Sequence, residues 1–152
     1  MSAKTVGLID YGMGNLASVE RACAAVRLPV QRVRRPASIA RLRGIILPGV
    51  GAFPDAMETL ASRRLDAFLA AARENGVPIL GVCLGMQLMF ESSTEGGRRK
   101  GLGWFPGTVA RLPRSVKVPH LGWNSVSIPL YAPLALRARD ASRLGLRAPV
   151  RS

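Results

Sequence analysis

Histidine is nearly missing from this chain: His120 is the only one in 152 residues. That scarcity excludes a histidine-rich metal centre and leaves nucleophilic catalysis short of its commonest base. Cysteine is almost as scarce. Cys23 and Cys83 are the two thiols, with no C-x-x-C spacing and no neighbouring histidine, so neither a disulfide framework nor a zinc site is expected. No apolar run approaches the ~20 residues that a membrane-spanning helix needs. The first residues, MSAKTVGLIDYG, hold one lysine, no long apolar segment and no small-residue cleavage site. No signal peptide is therefore expected, and the compartment reads as the cytoplasm. Acidic side chains are the third shortage: nine Asp and Glu stand against 22 Lys and Arg, a net charge of +13. A basic surplus can serve nucleic acid. Here the arginines are scattered through RRPASIARLR, SRR and GRRK without aromatic interleaving or a recognition motif. A GC-rich coding sequence produces the same bias, so no nucleic-acid or membrane partner is expected.

What is present is a core-forming chain. Hydrophobic residues make up 48%, enough for one folded domain. KTVGLIDYG (4–12) reads as a buried strand ending in a glycine turn, and NLASVERACAAVR (15–27) carries apolar residues at helical spacing. A short strand over 30–36, a brief helix in ASIARLR and a strand over 44–51 follow. Residues 54–76 read as a helix broken near its middle, with Pro54 at its start and Gly76 at its end. VPILGV is the next strand, 84–93 the next helix, 95–107 a polar glycine-rich loop, and TVARLP and KVPHLGWNSVSIP short extended segments. This alternation predicts an α/β fold: a doubly wound, mostly parallel sheet with helices on both faces. Strands that are apolar throughout fit burial on both sides. The glycine turns at 12–14, 49–51 and 81–85 all follow strands and should gather on one edge of the sheet, where such folds place their sites.

GVCLG (81–85) puts Cys83 at a strand-to-helix turn, the nucleophile-elbow arrangement with cysteine in place of serine. The positive end of a following helix favours a thiolate. The N–H of Leu84, next after the cysteine, is placed to donate to an oxyanion. The competing reading is a buried cysteine in a tight turn. LPGVG (47–51) offers a second nest of N–H groups, from Val50 or Gly51. DYGMGNLA (10–17) contains G-x-G-x-x-A, a weak form of the dinucleotide fingerprint, which leaves a nucleotide-binding α/β module using Gly12 and Gly14 as an alternative. Cys23 lies at an apolar helix position and reads as packing.

Four stretches together, IDYGMGNLASV, LPGVGAF, GVCLGMQLMFESSTEG and VPHLGWNSV, resemble class I glutamine amidotransferases. More narrowly they are similar to the branch that forms the glutaminase subunits of imidazole glycerol phosphate synthases in histidine biosynthesis. The resemblance implies that Cys83 attacks the side-chain amide of glutamine, with the oxyanion held by the backbone at Gly51 and Leu84. It implies that Gln87 and Glu95 hold the glutamine, Glu95 through the amino group. It further implies that Asn15 and Trp123 face a partner, the cyclase subunit, in a heterodimer that receives the ammonia. No cofactor and no metal are implied.

The resemblance runs over about residues 4–126. The family's later His and Glu, which complete its triad, have no counterpart in this sequence. In the 24 residues from Pro129, Ala, Leu, Arg and Pro make up 18. The expected organisation is an incomplete amidotransferase domain over 1–128 and an aberrant tail over 129–152, such as a frameshift or premature stop would leave. Glutaminase turnover by this chain is expected at least ~10²-fold below that of a chain with the full triad. Two other possibilities are an inactive fragment that only binds the cyclase and a Cys-elbow hydrolase with a different base.

Overall fold

The computed structural model describes residues 5–113, together with 115 and 118. The chain divides into two units, one ending at Leu112 and the other starting at Pro113, and the fold below is that of the first. His120, Trp123, the expected boundary at 128/129 and the tail all lie outside the described residues.

Four strands, β1 (Thr5–Ile9), β2 (Val30–Val33), β3 (Leu42–Leu47) and β4 (Ile79–Gly81), form a parallel sheet in the order β2-β1-β3-β4. Successive side chains of a strand point to opposite faces, and here both faces are covered. Val6, Leu8 and Ile46 meet Cys23 of helix α1 (Leu16–Ala25) on one side. On the other, Ile9, Ile45 and Leu47 pack with helices α2 (Phe53–Ser62) and α3 (Leu65–Glu74). That is why β1 and β3 are apolar without alternation. Cys23 is a buried packing residue, as its helical position predicts.

The helices follow their sequence signals. α2 buries Phe53, Ala56 and Leu60, and α3 buries Leu65, Phe68, Leu69 and Ala72, each a stripe at helical spacing. The break expected within 54–76 falls at Arg63 and Arg64, where Arg64 takes a left-handed φ of 58°. Asn15 caps α1: its side-chain oxygen accepts from the Ser18 N–H at 3.2 Å. Asn15→Ala should therefore lower stability by about 1 kcal/mol, read as a shifted urea midpoint at unchanged slope.

The helix expected over 84–93 is much shorter. α4 spans only Leu84–Gln87, and β5 (Phe90–Ser93) follows. β5 forms a small sheet with β6 (Arg99–Lys100), antiparallel, and β7 (Phe105–Val109), parallel. The helical pattern of LGMQLMFESS yields to pairing with a segment that is distant in sequence. Leu88 and Met89 offer their carbonyls to the N–H groups of Leu102 and Trp104, at 2.7 and 2.8 Å. Phe90 then meets Phe105, with ring centroids 5.9 Å apart, and Ser92 Oγ lies 2.9 Å from Thr108 Oγ1. Cross-strand pairs of this kind stabilise sheets. The polar loop expected over 95–107 accordingly contains β6 and the start of β7.

In the strand order, the chain runs outward from β1 to β2 and outward again from β3 to β4. The direction reverses between β1 and β3, and ligand sites of such sheets lie beyond the carboxyl ends at that reversal. Those ends carry Asp10-Tyr11 and Pro48-Gly49.

Candidate active site

β4 stops at Gly81 and α4 starts at Leu84, so Val82 and Cys83 make the turn. Cys83 adopts φ 55°, ψ −120°, a conformation that costs a residue with a Cβ roughly 1–3 kcal/mol. Hydrogen bonds on both sides enforce it. The Val82 N–H donates to Leu47 O at 3.0 Å, the Gly85 N–H to Val82 O at 3.0 Å, and the Met86 N–H to Cys83 O at 3.0 Å. The outcome is an exposed Cys83 side chain, not a thiol buried in a tight turn. α4 is a single turn, too short to carry the helix dipole that the sequence suggests beside Cys83.

The glycines make this turn possible by close approach. A Cβ on Gly81 would lie 2.6 Å from Met86 Cα, and one on Gly85 would run into the carbonyl oxygen of Leu47. A Cβ on Gly49 would lie 2.8 Å from the Gly85 nitrogen and 2.9 Å from Leu84 Cβ. The 48–51 loop is thereby seated directly on the first turn of α4. Gly51 has φ +102°, a conformation that suits glycine. Among the described residues, the N–H groups of Leu84, Val50 and Gly51 have no hydrogen-bond acceptor. These are the donors that the sequence assigns to an oxyanion.

The 10–15 turn reaches the same place. Tyr11, only 1% exposed, donates its hydroxyl to Pro48 O at 3.0 Å. A Cβ on Gly14 would sit 3.4 Å from the Pro48 ring. All three glycine turns therefore meet at one edge of the sheet. Burial, and then the charge on Cys83, push the Tyr11 phenol up to about 12, so it keeps its proton across the ordinary pH range. Sequence reasoning did not single out Tyr11, because its contact with the 48–51 loop spans 37 positions and exists only in the fold. Arg32 of β2 and Arg34 just beyond it are engaged by protein. Arg34 Nε donates to the buried Asp10 at 2.8 Å, and Arg32 binds Glu20 through two bonds of 2.7 and 2.8 Å.

Gln87 and Glu95 line one cavity of about 470 Å³, with Ser93, Thr94 and Arg111 among its other walls. Cys83 is not among its lining residues. Glu95 has a structural duty that the sequence did not reveal: its Oε2 accepts from the Phe53 N–H at 3.1 Å. Helix α2 has Ala52 as its N-cap, with no capping side chain of its own, and a carboxylate at a helix start is favourable. Among the described residues no three His, Cys, Asp or Glu side chains gather as a metal site, and no helix is long and apolar enough to cross a membrane.

Comparison with known proteins gives the family. The family model described as glutamine amidotransferase class-I matches residues 7–131. Imidazole glycerol phosphate synthase subunit HisH of Moorella thermoacetica is 50% identical over 126 residues, covering 83% of this chain and 60% of that protein. HisH of Desulfitobacterium hafniense strain Y51 is 48% identical over 121 residues, 80% of this chain and 57% of that protein. HisH of Bacillus licheniformis is 45% identical over 141 residues, 89% and 66% respectively. The chain thus spans about 60% of the length of the first of these curated relatives. The match reaches from β1 past the strained cysteine and the donors around it, and the chain belongs to the class-I glutamine amidotransferase family.

Proposed function

We propose that this chain is the glutaminase subunit of an imidazole glycerol phosphate synthase, acting in the cytoplasm in histidine biosynthesis. The observation that carries the reading is Cys83: exposed, held at positive φ, and bordered by backbone donors without acceptors among the described residues. The Cys83 thiolate adds to the side-chain amide carbon of glutamine, forming a C–S bond. The carbonyl oxygen takes the negative charge and is held by the N–H groups of Leu84 and Gly51. The C–N bond then breaks, and ammonia leaves with an added proton. Water hydrolyses the thioester to glutamate and restores the thiolate.

Gln87 and Glu95 orient glutamine from the neighbouring cavity, Glu95 facing its ammonium group. Asn15 and Trp123 belong to the surface that meets the cyclase subunit, to which the ammonia passes. Protonating ammonia and deprotonating water both need a general acid–base group. No histidine lies among the described residues, so acylation, not full turnover, is the step to examine.

The test is protection of Cys83. L-glutamine should slow iodoacetamide alkylation of Cys83 in a saturable way, and D-glutamine should not. Absence of protection by L-glutamine would remove the reading. Glu95→Gln keeps the acceptor for the Phe53 N–H and deletes the charge. It should raise the L-glutamine concentration for half-protection about 10-fold, the size of one charge-assisted hydrogen bond.

A further inference from the structure

Few hydrogen bonds hold the 48–51 loop among the described residues. Among the described residues, its backbone makes one hydrogen bond: Pro48 O accepts from the Tyr11 hydroxyl at 3.0 Å. Glycines at 49 and 51 leave the peptides beyond Pro48 free to rotate, so no other hydrogen bond among the described residues sets where the Val50 and Gly51 N–H groups point. The rest of the described support is steric and comes from the 11–14 segment and the first turn of α4. A Cβ on Gly49 would lie 2.7 Å from the Tyr11 hydroxyl oxygen, and one on Gly51 would lie 2.9 Å from Met13 Cε. The Tyr11 hydroxyl therefore touches the loop at Pro48 and Gly49, and Gly49 in turn touches Leu84 and Gly85 of the elbow.

We propose that Tyr11 is a positioning residue for the oxyanion site, its hydroxyl anchoring the Pro48 carbonyl and, through it, the glycine-bounded peptides that serve Cys83. The inference rests on the glutaminase reading above. Because burial holds the phenol to about 12, the anchor stays protonated wherever the enzyme is assayed.

The test separates oxyanion stabilisation from thiolate reactivity. The γ-p-nitrophenyl ester of L-glutamate acylates the cysteine through an oxyanion. The thiolate sulfur bonds to the carbonyl carbon, the carbon–oxygen bond to the leaving group breaks, and p-nitrophenolate departs without needing a proton. Iodoacetamide alkylates the same sulfur by displacing iodide at a saturated carbon, with no oxyanion. Tyr11→Phe keeps the buried ring and deletes the hydroxyl. Ester acylation should fall about 10-fold, below the ~10²–10³ of losing an oxyanion donor outright because the donors are loosened and not removed. Iodoacetamide alkylation of Cys83 should stay within about twofold, since that step makes no use of the loop.

Buried Cys23 reports the fold in the same mass spectrum, because it labels only when the core opens. If Tyr11→Phe exposes Cys23, Tyr11→Leu, which leaves room for a water on the Pro48 carbonyl, replaces it. Loss of the fold in both variants, or equal changes in the two reactions, makes Tyr11 a packing residue and overturns the proposal. Unchanged ester acylation overturns it too. If the unsubstituted chain alkylates but never acylates, the glutaminase reading fails and this inference fails with it.

Discussion

Replacing Cys83 by glycine should abolish acylation and at the same time stabilise the fold. The chemical half follows from the nucleophile: no other described side chain stands at the elbow with a reactive thiol, Cys23 being buried. Acylation by the glutamyl ester should drop at least ~10³-fold, the scale seen when a covalent nucleophile is removed. The stability half follows from the backbone. At φ 55°, ψ −120°, strain of roughly 1–3 kcal/mol is relieved by a residue without a Cβ. Glycine's extra entropy in the unfolded chain returns ~0.5–1 kcal/mol of that. An exposed side chain leaves no cavity when removed. The net expectation is a gain of about 1 kcal/mol, seen as a higher urea midpoint, whereas Cys83→Ala keeps the strain and should gain nothing. A Cys83→Gly protein less stable than its parent would show that the elbow is not strained.

Gly85→Ala should be the most damaging single methyl in the described fold. Its Cβ would run into the Leu47 carbonyl oxygen, with Leu47 C at 2.7 Å and Pro48 C at 3.1 Å. These are backbone atoms of a central strand and cannot swing aside as a side-chain end can. The loss should reach or exceed the ~3 kcal/mol at the upper end of ordinary overpacking, and acylation should fall as the 48–51 loop is pushed off α4. Gly44→Ala is the control. It too is buried, but its Cβ would meet Pro78 O at 3.5 Å, ordinary contact distance. It should change stability by less than about 1 kcal/mol. Equal losses in the two variants would refute the argument that close approach at the elbow explains the glycine.

The sheet was legible because β1 and β3 are apolar on both faces, a pattern that only a doubly covered strand needs. The elbow was legible because glycines at 81 and 85 flank Cys83 at a spacing that permits both a sharp turn and helix–strand contact. The break in the long helix was half legible: its existence could be read, while its placement at Arg63 and Arg64 depends on a left-handed residue that composition does not mark. Residues 84–93 were misread because local periodicity favours a helix, whereas the carbonyls of Leu88 and Met89 find their partners at 102 and 104. The capping role of Glu95 escaped for a similar reason. Its bond to the Phe53 N–H spans 42 positions, and only the missing cap at Ala52 hinted that α2 needed a carboxylate from elsewhere. Tyr11 shows the general limit. A tyrosine in a glycine turn is unremarkable until folding places its hydroxyl under another loop's carbonyl.

The most direct measurement is a mass spectrum of the chain quenched milliseconds after mixing with the glutamyl ester, digested and read peptide by peptide. The account predicts a γ-glutamyl thioester on the peptide bearing Cys83 and none on the peptide bearing Cys23. A thioester absent from Cys83, or present on both thiols at similar rates, would contradict it.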